Sequence, residues 1–417
     1  MNKLEQLIQQ HCPNGVEYKH LWEVTAWDKK FNAVENHKQK KVVKYHYLLA
    51  NDLKKLSVVY GDIKLLTTND SELYTTAEMA DSKVDEGEVV TIPWGGTANV
   101  QYYKGKFITA DNRLATSLDT DVLDNKFLFY FMLNKANEIQ SYYRGSGIQH
   151  PSMAKVLDMQ IPLPPLPVQA EIVRILDTFT ELTAELTAEL TARKKQYEYY
   201  RDFLLTFEKT ATQSVTDRQR VRWITLGEVC IATSNIKWKE TNKSYHYIDL
   251  TSVSRDTHAI TDVTIVNAKN APSRAQKLIE SDDVIFATTR PTLQRFAFIG
   301  DDYTGEVAST GYCVLRADKV NAIPKWVYYC ISTTDFYDYV EKNQEGSAYP
   351  AISDSKVRAF EIPLPSLDEQ ARIVEILDKF DTLTTDITAG LPAEIAARQR
   401  QYEYYRDKLL TFKEKVA

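Results

Sequence analysis

The chain states one thirteen-residue phrase twice. Lys195 to Phe207 reads KQYEYYRDFLLTF and Arg400 to Phe412 reads RQYEYYRDKLLTF, eleven identities in thirteen at a separation of 205 residues. The repetition continues upstream, where Ile161 to Phe179 (IPLPPLPVQAEIVRILDTF) parallels Ile362 to Phe380 (IPLPSLDEQARIVEILDKF) at an offset of 201. Self-similarity on this scale makes a duplicated body the first constraint on the fold. Because the offset changes from 201 to 205 between the blocks, four residues have been added to, or lost from, the helical stretch of one copy.

Each half also begins alike. VEYKHLWEV at Val16 to Val24 and VRWITLGEV at Val221 to Val229 share Val, Leu, Glu and Val in register, and Tyr45-His46-Tyr47 and Tyr245-His246-Tyr247 fall at equivalent places. Strand-like runs rich in Val, Ile, Tyr, Phe and Thr follow, punctuated by Trp94-Gly95-Gly96, Lys104-Gly105-Lys106 and Ile299-Gly300-Asp301. Each half reads as a mixed α/β globule with a shared frame and a different surface. That contrast is expected of two recognition modules, whose scaffold positions stay fixed while contact loops vary.

A long helix follows each globule. Ile172, Ile175, Phe179, Leu182 and Leu186 step by three and four residues, the spacing of a coiled-coil seam that needs a partner. Ile373, Ile376, Phe380, Leu383 and Ile387 repeat it, and the two seams are expected to meet. Gln169 and Gln370 stand in the first turns after Pro-rich stops. Gly390-Leu391-Pro392 should interrupt the second helix, because proline lacks a backbone donor and clashes inside a helix. The first helix has instead the tandem unit Thr183-Ala184-Glu185-Leu186 and Thr187-Ala188-Glu189-Leu190, a countable spacer.

Composition narrows the class. With 43% hydrophobic and 26% charged residues and no apolar run near the about 20 needed to span a bilayer, no membrane segment is expected. The first residues, MNKLEQLIQQ, lack a signal-peptide pattern and read as a short amphipathic helix, so a cytoplasmic address is expected. Cys12, Cys230, Cys313 and Cys330 show no metal-ligand spacing and read as reduced core residues. Net charge is −6, and the segments 16–161 and 221–362 are each about neutral, so any nucleic-acid affinity must be local. The densest basic stretch, His37 to Lys44 (HKQKKVVK), suits phosphate attraction or simply a solvated polar strand.

Two variable globules alternating with near-identical helical segments, each introduced by IPLP, resemble the specificity subunit of Type I restriction-modification systems. The resemblance covers essentially the whole chain. It is carried most specifically by GSGIQHPSMAKVLDMQIPLPPLPVQAEIVRILD at Gly145 to Asp177, by its counterpart from Gly346 to Asp378, and by STGYCVLRADK at Ser309 to Lys319. It implies an α/β (α+β) fold of two similar mixed globular target recognition domains separated by two long helices packed as an antiparallel coiled coil, a pseudo-twofold internal repeat. The expected divisions are an N-terminal helical segment (1–15), recognition domain 1 (16–161), the central helix (162–210), a linker (211–220), recognition domain 2 (221–362) and the C-terminal helix (363–417).

The resemblance further implies double-stranded DNA with a bipartite target as ligand. Two modification subunits would bring S-adenosylmethionine, and restriction subunits would bring ATP and Mg; this chain itself would hold no cofactor and no metal, and would have no catalytic residues. The sequence agrees in lacking a GxxxxGK[ST] loop, a GxGxxG fingerprint and the Asn/Asp-Pro-Pro-Tyr/Phe motif of adenine methyltransferases. A self-sufficient DNA methyltransferase or nuclease, and a coiled-coil protein adaptor, are the competing readings.

For DNA contact the candidates in the first half are Lys38, Lys40, Lys41, Lys44, Trp94, Gly95, Gly96, Lys104 and Lys106. Adjacent glycines permit close approach to a phosphate, or merely make a tight turn. In the second half Arg290, Gln294 and Arg295 occupy a Pro-rigidified loop with chemistry suited to guanine and adenine edges, or are ordinary surface residues. Gly145, Ser146, Gly346, Ser347 and Tyr349 join them because both halves place Gly-Ser before the Pro-rich exit; capping or turn roles are equally open. For partner contact the candidates are Tyr197, Tyr199, Tyr200 and Arg201, matched by Tyr402, Tyr404, Tyr405 and Arg406. Aromatic and arginine enrichment suits an interface with two identical subunits, or packing on the chain's own globules.

Overall fold

The computed structural model describes residues 3–81, 83–208, 221–386 and 388–415, so the expected linker at 211–220 and the seam residue Ile387 lie outside the described residues. The chain divides into two compact units, one of residues 1–184 with 398–417, the other of residues 185–397. Among the described residues no helix is long and apolar enough to cross a membrane, and no group of three or more His, Cys, Asp or Glu side chains could hold a metal ion.

Both globules open and close through a two-stranded antiparallel ribbon. In the first unit Glu17–His20 pairs with Gln160–Leu163, Glu17 opposite Leu163. In the second, Arg222–Thr225 pairs with Glu361–Leu364, Arg222 opposite Leu364. The shared opening phrase explains the next turn. Leu21 N donates to the carbonyl of Met159 and Leu226 N to that of Phe360, both at 2.9 Å. Glu23 and Glu228 each reach back to accept from the backbone N–H three residues earlier, at 2.7 and 2.9 Å, closing a capped helical turn.

Inside the ribbon the first unit holds a six-stranded sheet ordered Thr25–Trp27, Asn112–Ser117, Asp85–Pro93, Gln101–Thr109, Ile63–Leu66, Tyr74–Thr75. The second holds two four-stranded sheets. One is ordered Cys230–Ile231, Tyr312–Ala317, Val284–Ala287, Phe296–Phe298, and the other Thr264–Val266, Tyr245–Ile248, Val307–Ser309, Ala275–Leu278. The first four strands of the six-stranded sheet correspond in order to those of the sheet that begins with Cys230–Ile231, so Asp85–Pro93 and Val284–Ala287 are the same central strand in two settings. The two repeated YHY motifs are held alike. His46 N and Nδ1 lie 2.7 and 3.0 Å from the carboxylate of Asp85, and His246 N and Nδ1 lie 2.5 and 3.0 Å from that of Glu306.

Each core is closed by a helix lying between sheet and long helix. Asp124 caps Asn125–Asn134 by accepting from Lys126 N and Phe127 N at 2.8 Å, and the helix buries Phe127, Leu128 and Phe131. Pro324 starts Pro324–Ile331, which buries Trp326 and Tyr329; a large apolar side chain so buried stabilises by about 1.5–3 kcal/mol. All four cysteines are buried free thiols, and burial pushes the Cys230 and Cys313 thiols up to about 12.

The central helix runs unbroken from Leu166 to Leu205. Its counterpart is two helices, Leu367–Thr385 and Leu391–Leu409, parted where Gly390 and Pro392 predict a break. The four-residue length difference between the copies therefore coincides with an interruption in one of them. Gln169 and Gln370 do the same work in the two units. Each side-chain oxygen accepts from a backbone N–H, of Asp124 or Ile323, at 2.9 Å. Each side-chain nitrogen donates to two backbone carbonyls, of Val122 and Pro164 or of Asn321 and Pro365. A second matched tie lies two turns on. Asp177 accepts from Lys126 and Tyr130, at 2.8 and 2.5 Å, and Asp378 accepts from Lys325 at 3.1 Å and from Tyr329.

The helical segments pack on one another as expected, and the seam phenylalanines make the contact. Ile172 and Ile373 are fully buried in the cores of their own globules, and the seam phenylalanines face the repeated tyrosines instead. Phe179 packs against Tyr402 and Tyr405, with centroids at 6.5 and 5.6 Å, in the first unit. Phe380 packs against Tyr197 and Tyr200, at 6.4 and 5.9 Å, in the second. The three-and-four periodicity thus marks the face that packs, and the tyrosines of the repeated phrase are what its phenylalanines meet.

Candidate nucleic-acid interface

The turn after the central strand is built the same way in both units from unlike residues. In the first, Trp94 N donates to the Asp111 carbonyl at 2.7 Å and Gly96 N to the Gln149 carbonyl at 2.9 Å. In the second, Thr288 N donates to the Gly311 carbonyl at 2.8 Å and Arg290 N to the Pro350 carbonyl at 2.7 Å. Gln149 and Pro350 are equivalent at the repeat offset of 201. The Gly-Ser exit loops are thus clasped to the post-strand turns, which brings together candidates that are about fifty residues apart in sequence.

Gly145 and Gly346 make the clasp possible. They have φ of 144° and 92°, and a Cβ on them would lie 2.8 Å from the Ile148 carbonyl oxygen and 3.1 Å from that of Tyr349. The next residues carry the chain to an apolar tip, where Ile148 is 72% exposed and its equivalent Tyr349 is 73% exposed.

What the clasp presents differs. In the first unit the Trp94 ring packs on His150 at 4.7 Å, and His150 Nδ1 lies 2.8 Å from the Trp94 carbonyl oxygen. The Arg113 guanidinium lies 5.4 Å from the same indole. Arg113 is anchored beneath by Asp28 at 3.7 Å, and Tyr47 donates to Asp28 at 2.8 Å. Burial pushes the Asp28 carboxyl above the usual range, opposed by the Tyr47 hydrogen bond and the Arg113 charge.

In the second unit Arg290 is exposed, and its guanidinium lies over the Tyr349 ring at 5.1 Å. Arg290 and Gln294 both adopt φ of 49°, a left-handed backbone that costs a non-glycine residue about 1–3 kcal/mol and clusters at functional turns. Gln294 is half-buried. Arg295 also holds the neighbouring loop: its Nη1 donates to the carbonyls of Val253 and Thr251, at 2.5 and 3.5 Å.

The basic stretch does not join this turn. Lys38 is tied to Asp158 at 2.7 Å, which holds its ammonium pKa above the usual range. Lys40 and Lys41 line a cleft of about 280 Å³ with Lys19, Trp22, Glu23 and Thr25. Lys44 and Lys106 are exposed, and Lys104 pairs with Glu88 at 3.5 Å. Sequence reasoning missed Arg113, His150 and Ile148 beside Trp94, and Lys19 in the cleft. The signal was available in the repeat, since residues 147–151 differ from 348–352 at every position between a shared Gly-Ser and a shared serine.

The repeated QYEYYRD phrases sort by exposure. Tyr197 and Tyr402 pack inward. Arg201 lies over the Tyr197 ring and pairs with Asp202, which accepts from Thr334 Oγ1 at 2.6 Å. Arg406 lies over Tyr402 and donates to Asn134 at 3.0 Å. Tyr200 and Tyr405 stack on the seam phenylalanines. These residues take part in the chain's own packing, while Tyr199 and Tyr404 are 66% and 62% exposed and Tyr200 39%.

The chain matches the family model for the Type I restriction modification DNA specificity domain twice, at residues 15–193 and 221–397, and it belongs to that family. It is a Type I restriction-modification specificity subunit with two DNA-recognition domains. It is 34% identical to the EcoR124I/EcoR124II specificity subunit of Escherichia coli over 320 residues, 72% of this chain and 74% of that one. It is 31% identical to a type I restriction enzyme specificity subunit of Haemophilus influenzae, over 78% of this chain and 83% of the relative. The crystal structure of the Type I restriction-modification system S subunit from M. genitalium shares the fold, with a TM-score of 0.56 over 95% of this chain and 96% of that one at 16% identity.

Proposed function

We propose that each unit reads one half of a bipartite DNA target, with recognition domains at 16–161 and 221–362, and that the helices set the unread spacer between halves. The observation that carries this reading is the matched clasp: one backbone geometry, Gly96 to Gln149 and Arg290 to Pro350, presents Trp94, Arg113 and His150 in one unit and Arg290 with Tyr349 in the other. Arginine is the side chain best suited to guanine in the major groove, and an aromatic shelf presents it already oriented. Lys19, Lys40 and Lys41 would supply phosphate contacts that position without specifying.

The chain carries no chemistry of its own in this reading. Two modification subunits, holding S-adenosylmethionine, dock on the helices through Tyr199 and Tyr404, and restriction subunits add ATP- and Mg-dependent steps. Single-molecule sequencing of DNA methylated by the reconstituted complex tests the proposal. A two-part motif with a fixed gap is expected, and a continuous motif would overturn it.

A further inference from the structure

The two copies of the tyrosine phrase differ at two exposed positions in thirteen; Lys195 against Arg400 keeps its positive charge, and only Phe203 against Lys408 changes polarity. In the second unit Tyr199 and Phe203, one helical turn apart, are 66% and 63% exposed, with ring planes 7° apart and centroids at 6.2 Å. In the first unit the equivalent pair is Tyr404 and Lys408, with the Lys408 ammonium 6.0 Å from the Tyr404 ring. One face is therefore a bare aromatic stack, and the other is a tyrosine under a cation.

We infer that these faces bind two copies of one partner with unequal strength, the Tyr199–Phe203 face first and the Tyr404–Lys408 face second. This rests on the reading above, in which modification subunits dock on the helices. The duplication argues for a single partner: the exposed tyrosine, its flanking glutamates Glu198 and Glu403, and the inward packing are all repeated. Identical copies of a partner meet near-identical phrases, so the one difference there that changes polarity, Phe203 against Lys408, sets the difference in affinity. Burying the Phe203 ring removes apolar area from water, whereas burying Lys408 desolvates a charge, and lysine is depleted in interface cores. The partner is thereby described as well: its docking surface offers an apolar slot for two stacked rings, rimmed by positive charge to meet Glu198 or Glu403.

Native mass spectrometry of the full chain titrated with purified modification subunit reads the one-partner and two-partner species directly. The unaltered chain should pass through a well-populated one-partner complex, its two dissociation constants differing by on the order of tenfold beyond the statistical ratio. Phe203→Lys should weaken the first step to the level of the second. Lys408→Phe should strengthen the second to the level of the first. Thermal melts of both variants should match the unaltered chain, since both positions face solvent. Equal steps in the unaltered chain, or steps that neither substitution moves, overturn the inference. Tyr199→Ser with Tyr404→Ser separates the two claims. If that double variant binds normally, the docking reading itself falls. If it fails to bind while Phe203→Lys and Lys408→Phe change nothing, docking stands and the inequality falls.

Discussion

The backbone N–H of Arg290 donates to the carbonyl of Pro350 at 2.7 Å, although sixty residues separate them. That bond holds a left-handed arginine beside Tyr349, the pair proposed above to meet DNA.

Arg290→Ala should cost about 1–3 kcal/mol of specific DNA affinity, the magnitude of one bidentate base contact. Recognition should relax at a single position of one half-target, leaving the other half unchanged, as read by methylome sequencing. Arg290→Lys should rescue charge but not specificity, because a point cation cannot reproduce the guanidinium fork. Relaxation in both halves would contradict separate readers.

Gln169→Leu and Gln370→Leu should each destabilise one unit. Each glutamine is fully buried and satisfies one backbone N–H and two carbonyls. Leaving such groups bare costs about 1–3 kcal/mol. Calorimetry should show the loss in the transition of the affected unit, and an unshifted trace would refute the tie.

Acid should loosen the second unit before the first. His258 is stacked on Phe296 at 3.8 Å with Nδ1 buried and unpartnered, and burial with the nearby Arg201 and Lys194 charges pushes its pKa down to about 4. Its folded pKa lies below the unfolded value, so the unfolded chain binds the proton more readily. Stability from this group is complete above about pH 6.5 and falls by about 1.4 kcal/mol per pH unit from there toward pH 4. His258→Asn, which tolerates the left-handed φ of 54° at this position, should flatten that slope in denaturant titrations run across the window.

Inserting a third Thr-Ala-Glu-Leu unit after Leu190 should lengthen the unread spacer by about one base pair. Four helical residues advance about 6 Å and turn about 40° beyond a full turn, against about 3.4 Å and about 35° for a base-pair step. Both half-targets should be unchanged. A spacer of unaltered length in the methylome of the insertion variant would defeat the ruler.

Much of this architecture was legible in the sequence because duplication marks what packing requires. Gln169 and Gln370, the Pro-rich stops and the Gly390 break could be placed from the repeat alone, since both copies obey the same local chemistry. The clasp could not. It depends on two backbone bonds between segments about fifty to sixty residues apart, and those bonds leave no side-chain signature. Arg295 shows the same limit: its residue type suits a DNA contact, but that its Nη1 also holds the carbonyls of Thr251 and Val253, distant in sequence, could not be read from the chain. The inward turn of Tyr197 and Tyr402 was hidden for a related reason, as helix periodicity names a face without naming what covers it.

Each globule leaves its frame through a single pair of neighbouring strands, Glu17–His20 beside Gln160–Leu163 and Arg222–Thr225 beside Glu361–Leu364. Such a joint works as a socket. Whatever loops and sheets lie between, the two ends return to one place, so exchanging one globule whole should leave the scaffold without a change in length, direction or strain.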